Sequence, residues 1–212
     1  MFTGDEFADG GNFIQQTLKK ENVKASFFFT GNFYRNPAFK NIIQQLKKDK
    51  HYLGAHSDQH LLYCDWTKRD SLLVTEKQFK KDLHDNYKAM QTFGIQKKDA
   101  HFFLPAYEWY NDTIARWTNE TGLQLANFTP GTLSNADYTT PDLKNYRSSE
   151  TIYNSIVSFE QKNNSGLNGF ILLVHIGTAK DRTDKFYYSL PALISFLKAK
   201  NYQLVPVDKL LK

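Results

Sequence analysis

Two histidines four residues apart, His56 and His60 in the stretch AHSDQH, have the types and spacing that point most directly to chemistry. On a helical turn this spacing places both side chains on one face, where two imidazoles can bind the same divalent metal ion. Two neutral imidazoles, a carboxylate and a water molecule form an open site suited to hydrolysis. Two polar loop residues would give the same pattern, so the pair alone does not decide between a metal site and a solvated loop.

Short apolar runs alternate with longer amphipathic stretches, and this alternation predicts a parallel sheet covered by helices. The runs FFF and FILLV are continuous apolar segments, typical of strands that are buried on both faces. Residues 76–94 predict a long amphipathic helix that ends at Gly94, and YQLVPV predicts the last strand. The sheet is expected to be either open and doubly wound or closed into a barrel. In both, the chemistry gathers at the carboxyl ends of the strands.

Acidic residues and histidines follow one predicted strand after another, as that expectation requires. Asp5, Glu6 and Asp9 follow MFT, which we interpret as the end of a first strand whose beginning is missing. The histidine pair follows HYLG, and His175 follows FILLV. A group of carboxylates at a second strand end strengthens the metal-site interpretation of the pair, because a divalent ion needs an acidic ligand beside the imidazoles.

His175 ends a wholly apolar strand, where a polar ring must either find a partner or take part in chemistry. A core histidine bonded to the backbone would be the ordinary explanation for one such residue alone. Its placement with the other strand-end residues favours a general acid or base, because imidazole titrates near neutral pH. The remaining histidines, His51, His84 and His101, lack this context and are interpreted as structural.

The composition predicts one domain that spans residues 1–212, with 41% hydrophobic and 23% charged residues. The net charge is +5, but the lysines are mixed with acids and amides along helix faces, which argues against nucleic-acid binding. The single cysteine, Cys64, excludes an internal disulfide framework. No membrane span and no signal peptide are expected in this sequence, and the oligomeric state stays open.

The order of FTGDEF, NVKASFFFTG, HYLGAHSDQH, FLPAY and ILLVH resembles the polysaccharide deacetylases, carbohydrate esterase family 4. HSDQH is similar to the histidine motif H-[ST]-x-x-H of that family, and LLVH resembles its last motif. The resemblance covers essentially the whole chain. It implies a distorted (β/α) barrel of about seven parallel strands and one bound divalent metal, usually zinc, although the ligand set also suits cobalt and nickel. It also implies removal of N- or O-acetyl groups from an acetylated glycan.

The resemblance assigns roles to the acidic residues and to the histidine pair. TGDEF matches the first motif of the family, T-F-D-D-G, without a gap, so Asp5 takes the place of the catalytic base and Glu6 that of a metal ligand. Asp9 is the alternative acidic ligand if the loop is longer than this match assumes. His56 and His60 match the two histidine ligands. Glutamate in place of aspartate at the ligand position keeps the charge and lengthens the side chain.

The remaining motifs match less completely. His175 matches the general acid, and Tyr107 in FLPAY would supply a backbone N–H to the oxyanion. Leu104 stands where the family has an arginine that orients the base, and leucine has no donor. The aspartate-and-tryptophan motif has no clear counterpart, with Asp137 as a loose candidate. These departures keep a second hypothesis open, a non-catalytic glycan-binding module on the same fold. A third is an unrelated metal-dependent amidase.

Two expectations follow from the substrate class. Glycans of this kind lie mostly outside the cytoplasm, so the chain is expected in the periplasm, on the cell surface or in the medium. Aromatic side chains near the motifs, those of Trp66, Trp109 and Tyr110, are candidates for stacking on sugar rings. Aromatic residues that anchor loops would explain these three positions equally well.

Overall fold

A parallel sheet of six short strands lies at the centre of the computed structural model, which describes residues 1–211. The strand order is β5-β4-β3-β2-β1-β6, and every pairing is parallel. The predicted α/β fold with a parallel sheet is therefore confirmed. The strands are β1 Phe2–Gly4, β2 Ser26–Phe29, β3 Tyr52–Ala55, β4 Phe102–Phe103, β5 Gln124–Leu125 and β6 Val174–His175.

Helices connect and cover these strands, and several begin where the sequence carries a capping residue. The Thr75 hydroxyl accepts a hydrogen bond from the Gln78 N–H at the start of α4, and the Gln78 side-chain oxygen accepts one from the Thr75 N–H. Asn111 caps α5 by accepting from the Ile114 N–H at 3.0 Å. The helices are α1 Gly11–Lys20, α2 Gly31–Arg35, α3 Lys40–Lys48, α4 Glu76–Gln91, α5 Asp112–Glu120, α6 Ser149–Lys162, α7 Leu190–Ala199 and α8 Val207–Leu210.

Stacked phenylalanine rings form the part of the core under β1 and β2. The ring of Phe2 stacks on Phe27 with centroids 4.8 Å apart, and Phe29 stacks on Phe33 of α2 at 4.1 Å. Every residue of β2 is buried, as a continuous apolar strand predicts. Each buried phenylalanine contributes about 1.5–3 kcal/mol relative to an exposed one. This packing fixes the strand ends from which the candidate site residues project.

The two edges of the sheet are linked by side-chain and backbone hydrogen bonds. The Thr129 N–H, just after β5, donates to the Ile171 carbonyl, just before β6, at 3.0 Å. The Ile171 N–H donates to the Thr129 hydroxyl at 3.0 Å. The segments that flank the edge strands therefore approach each other, as in a distorted barrel.

The strand predicted over YQLVPV does not form, so the described residues contain six strands where about seven were expected. Tyr202 begins an extended segment outside the sheet, and Val205 is 43% exposed. Pro206 has no N–H to give a neighbouring strand and instead precedes α8. Of FILLV, only Val174 belongs to a strand, and the ladder continues to His175. No helix within residues 1–211 is both long and apolar enough to cross a membrane.

Candidate active site

His56 directly follows β3 and is held by hydrogen bonds on three sides. Its backbone N–H lies within bonding distance of the Phe29 carbonyl and of the Asn86 side-chain oxygen. Its Nδ1 atom lies 2.9 Å from the Leu104 carbonyl, which can only accept, so Nδ1 carries the proton. Burial, together with the neighbouring His60 ring, keeps the pKa of His56 well below its usual value. The ring is therefore neutral, and its Nε2 atom presents a lone pair.

The helical turn predicted for the histidine pair is wrong, although the two rings do meet. Ser57 and His60 have positive φ angles of 72° and 53°, so residues 56–60 form a tight loop. The Asp82 carboxylate of α4 holds this loop by accepting from the N–H groups of Asp58 and Gln59 at 2.9 and 3.0 Å. The loop brings the ring of His60 to 5.1 Å from that of His56, measured between centroids.

Asp58, the acidic residue between the two histidines, has a structural role. Its side chain is buried and pairs with Arg35 of α2, with Oδ1 2.5 Å from the guanidinium. The α2 helix also approaches the loop through the Gly31 N–H, which donates to the Ser57 carbonyl at 3.1 Å. A Cβ atom on Gly31 would lie 1.7 Å from the Asp58 carboxylate, so this approach requires glycine. Asp58 is thereby occupied away from the histidine rings.

Asp5 lies directly after β1 and is oriented by a threonine. Its Oδ1 atom accepts a hydrogen bond of 2.7 Å from the hydroxyl of Thr30, which directly follows β2. Burial lowers the pKa of His60, and the charge of Asp5 offsets part of that effect. Asp5 is thus close enough to act electrostatically on the histidine pair. The Thr30 hydroxyl gives this carboxylate the donor that Leu104 cannot supply.

The two other acidic residues of the amino-terminal loop lie in different surroundings. Glu6 is exposed, and within residues 1–211 its carboxylate makes no hydrogen bond or ion pair. Asp9 accepts from the Thr178 N–H at 2.8 Å and from the Tyr187 hydroxyl at 3.0 Å, and it pairs with Lys185. Asp9 therefore fastens the segment after β6 to the amino-terminal loop, and within residues 1–211 Glu6 does not form a group of three potential metal ligands with the two histidines.

A turn after β4 brings two consecutive residues to the histidine pair. Tyr107 and Glu108 have positive φ angles of 59° and 54°. The ring of Tyr107 lies 4.3 Å from that of His60, between centroids, and is 43% exposed. The Glu108 side chain is only 14% exposed, and its Oε1 atom lies 3.8 Å from Nε2 of His56. Sequence reasoning missed Glu108, although its position after a predicted strand was an available signal.

The carboxyl of Glu108 shares its surroundings with a second acid–histidine pair. Asp137 accepts from the His175 backbone N–H at 2.8 Å and from its Nδ1 atom at 2.6 Å. Burial tends to lower the pKa of His175, but the Asp137 carboxylate and its hydrogen bond raise the pKa above its usual value. Burial raises the pKa of Glu108 to about 7, opposed by the charge of His175. The loose candidate Asp137 thus holds the ring of His175 from one side.

Exposed aromatic rings flank the histidine pair. Trp66 is 54% exposed, and its ring lies 5.6 Å from Tyr107 and 5.5 Å from Trp109. Arg69 stacks on Trp109 at 4.3 Å and contacts Tyr110 at 5.6 Å. Of the three aromatics predicted near the site, Trp66 offers the most open face, while Trp109 and Tyr110 pack against the arginine.

The two imidazoles have the donor chemistry of a divalent metal site, but in the described residues no third ligand side chain completes a group with them. Within residues 1–211, no group of three His, Cys, Asp or Glu side chains is positioned to hold a metal ion. His56 presents a bare Nε2 lone pair because its Nδ1 proton is engaged by the Leu104 carbonyl, which is how metal-binding histidines are usually fixed. The two imidazoles therefore fit a metal site, and the identity of the carboxylate is the open point.

Comparison with known proteins gives matches across the chain. Residues 9–126 match the family model for polysaccharide deacetylase. A protein of Bacillus subtilis (strain 168), the uncharacterized protein YlxY, is 27% identical over 194 residues, which cover 92% of this chain and 50% of that protein. The chain therefore spans about half the length of the curated relative that it matches.

Solved structures of similar fold include enzymes and a pseudoenzyme. A peptidoglycan N-acetylglucosamine deacetylase has a TM-score of 0.74 at 19% identity, covering 99% of this chain and 86% of that one. A family 4 acetyl xylan esterase from Clostridium thermocellum, solved with cobalt, has 0.72 at 21%, covering 99% and 88%. A CE4 family pseudoenzyme from Bacillus anthracis has 0.70 at 16%, covering 100% and 64%. At these identities the likeness shows the fold.

Proposed function

Because the chain belongs to the polysaccharide deacetylase family, we propose that it removes N- or O-linked acetyl groups from a polysaccharide or oligosaccharide by metal-dependent hydrolysis. The observation that supports this most is the arrangement of two histidine systems at the carboxyl ends of the strands. The rings of His56 and His60 lie 5.1 Å apart, and His175 is paired with Asp137. Glu108 lies 3.8 Å from His56, and the charges of His175 and Asp137 both act on its pKa.

His56 and His60 would hold the metal together with one carboxylate, and we propose zinc as the ion. When bound, zinc polarises a carbonyl group and lowers the pKa of its water toward about 7. The sequence-based candidate for the carboxylate is Glu6. The neutral state of His56, with the proton fixed on Nδ1, keeps its other nitrogen ready to bind throughout the neutral pH range.

The other site residues transfer protons, stabilise the oxyanion or bind the sugar. Asp5, oriented by Thr30, accepts the proton of the attacking water. The backbone N–H of Tyr107 is the proposed donor to the oxyanion, a type of contact worth about 3 kcal/mol in other hydrolases. His175, held by Asp137 and protonated, donates to the departing amine or alkoxide. The open face of Trp66 supports binding of a sugar ring by stacking.

A glycan-binding module without catalysis is the second candidate function. Leu104 is fully buried and stands where the resemblance places an arginine, so the usual donor to the base is missing. The similarity in fold to a pseudoenzyme of the CE4 family is in keeping with this alternative. The Thr30 hydroxyl, which donates to Asp5 at 2.7 Å, favours catalysis over binding alone because it restores a donor to that carboxylate.

Acetate release separates these functions. We expect the protein to release acetate from an acetylated chito-oligosaccharide or from acetylxylan when it is supplied with zinc, cobalt or nickel. Binding of the same glycans without acetate release under any of these metals would favour the binding module. Release of ammonia in place of acetate would indicate an amidase. The same substrates lie outside the cytoplasm, so we propose an extracytoplasmic location.

The pH dependence of turnover is predicted by the His175–Asp137 pair. Asp137 raises the pKa of His175 against the opposing effect of burial, and a general acid is active only while protonated. Turnover is therefore expected to fall as the pH rises through this raised pKa. In Asp137→Asn the charge is removed, and the fall is expected at lower pH. A kcat profile across the neutral and alkaline range measures both. An alkaline limb that does not move in Asp137→Asn would contradict the assignment.

A further inference from the structure

We propose that Arg182 is a positioning residue for His175, because its guanidinium fixes the segment next to Asp137 and so keeps the Asp137 carboxylate on the histidine ring. This inference rests on the proposed role of His175 as the general acid and adds a residue on which that role depends. Within residues 1–211 the guanidinium makes no hydrogen bond to His175 or to Asp137. Its effect is therefore transmitted by the backbone that it binds.

The Arg182 side chain is fully buried, and its shortest hydrogen bonds go to main-chain carbonyls. Its Nη1 atom donates to the Thr139 carbonyl at 2.6 Å, and its Nη2 atom donates to the Arg147 carbonyl at 3.0 Å. Residues 139–148 belong to no helix or strand, so the guanidinium supplies donors that regular structure supplies elsewhere. The planar guanidinium can bind the two carbonyls at once and joins both ends of this segment.

Thr139 connects this attachment to the short 3₁₀ helix Ser134–Tyr138, which contains Asp137. The N–H and the hydroxyl of Thr139 both donate to the Ala136 carbonyl, at 3.1 and 2.7 Å. The same hydroxyl accepts from the Arg147 N–H at 3.2 Å. A displacement of Thr139 would therefore move the helix that presents the Asp137 carboxylate.

The position of the Asp137 carboxylate depends on its backbone. The residue is buried, and in the described part of the chain its carboxylate accepts hydrogen bonds from His175 alone. These two bonds orient the ring only while the carboxylate itself is fixed. The loop after β6 and the segment around Asp137 are thus joined at two places, by the acid–histidine pair and by Arg182.

Packing alone does not favour arginine at this position. A buried guanidinium loses its hydration, and the Nε–H of Arg182 has no acceptor within residues 1–211. The carboxylate that pairs with it, that of Asp184, is 40% exposed and lies 3.9 Å from Nη2. An apolar side chain of similar volume would fill the space without these costs. The bonds to the two carbonyls therefore account for the arginine.

The charge of Arg182 acts on His175 in the direction opposite to positioning, so the two effects can be separated. Burial lowers the pKa of His175, whereas Asp137 and Glu108 raise it. The positive charge of Arg182 lowers it. The other titratable groups near the ring are Tyr138, at 5.3 Å between ring centroids, and the two histidines of the pair. Loss of the charge alone would raise the pKa of His175, whereas displacement of Asp137 would lower it.

An NMR titration of the His175 ring in the full chain, at one fixed metal content, tests the assignment without relying on activity. Arg182→Lys keeps the charge and most of the volume, but an ammonium lacks the fork that binds both carbonyls. We expect the pKa of His175 in this variant to fall by at least about half of the fall measured in Asp137→Asn. Arg182→Met is expected to lower this pKa as well, although a positive charge is lost.

Lys185→Met is the matched control. Lys185 is a second, mostly buried cation of the same loop, and it donates to the Thr178 and Ala179 carbonyls. Its replacement is expected to lower the Tm and to leave the pKa of His175 unchanged. An equal fall of this pKa in Lys185→Met would trace the effect to general loosening of the loop and overturn the assignment.

The remaining outcomes are equally decisive. A rise of the pKa of His175 in Arg182→Met with no change in Arg182→Lys would mean that Arg182 acts through its charge alone. An unchanged pKa in both variants with a lower Tm would mean that Arg182 only stabilises the fold. Either result overturns the assignment. If the wild type releases no acetate, the proposed function is overturned, while the titrations still decide whether Arg182 positions the ring.

Discussion

Replacing His175 with alanine is expected to lower kcat for acetate release about 10²–10⁴-fold, the range for loss of a positioned general acid. Asp137 accepts one hydrogen bond from the ring Nδ1 atom and one from the backbone N–H of His175, so the ring is oriented before the reaction. The side chain is only 23% exposed, and its loss leaves the buried Asp137 carboxylate without the ring as a partner, so we expect the Tm to fall as well. Initial rates at saturating substrate, measured well below the Tm of the variant, give the effect on kcat.

The conservative variant Asp137→Asn provides the control for this result. Asparagine keeps the shape and still accepts from the His175 N–H, but it lacks the charge that raises the pKa of the ring. Its kcat at neutral pH is expected to lie between those of the wild type and His175→Ala, and to recover toward acidic pH. If His175→Ala turned over at the wild-type rate, His175 would have no part in the mechanism.

Replacing Asp82 with alanine is expected to lower the free energy of unfolding by about 3 kcal/mol or more, because buried donors left without acceptors each cost about 1–3 kcal/mol. Its buried carboxylate accepts from the N–H groups of Asp58 and Gln59 and from the Tyr63 hydroxyl. The first two bonds hold the loop that carries His60. Urea unfolding measures the stability, and zinc affinity is expected to fall in the same variant.

Asp85, three residues further along α4, gives a matched control. It makes an ion pair with the exposed Lys81 on the outer face of the helix. Asp85→Ala is expected to change the free energy of unfolding by less than about 1 kcal/mol, since exposed ion pairs contribute little. Equal losses of unfolding free energy in the two variants would mean that the hydrogen bonds that Asp82 accepts from Asp58 and Gln59 do not account for the destabilisation.

The fold could be predicted because its signals are local. A continuous run such as FFF in β2 indicates a strand buried on both faces, and the structure buries every residue of that strand. Residues 76–94 have helical periodicity, and α4 occupies Glu76–Gln91 with Gly94 just beyond it at a φ of 67°. Neither feature depends on contacts with distant parts of the chain. The short last strand failed because its proline and its exposure oppose a ladder.

The site could be predicted only in part, because its decisive contacts join distant residues. The residue types of Ser57 and His60 do not indicate a positive φ, so the sequence favours a helical turn where the structure has a loop. Asp137 and His175 are 38 residues apart, and no spacing rule connects them. The hydrogen bond from the Thr30 hydroxyl to Asp5 likewise depends on the pairing of β1 with β2. The residue types predict that the functional side chains lie at strand ends. The hydrogen-bond partners of those side chains are determined by tertiary contacts.

The hydrogen bonds between Thr129 and Ile171 bear on how the protein behaves in concentrated solution. Unpaired edge strands are templates on which a second molecule can add a strand and begin an aggregate. Here the outermost strands, β5 and β6, are two residues long, and the segments beside them are already bonded to each other. Little free backbone is left for intermolecular strand pairing, so this route to fibrils is largely closed.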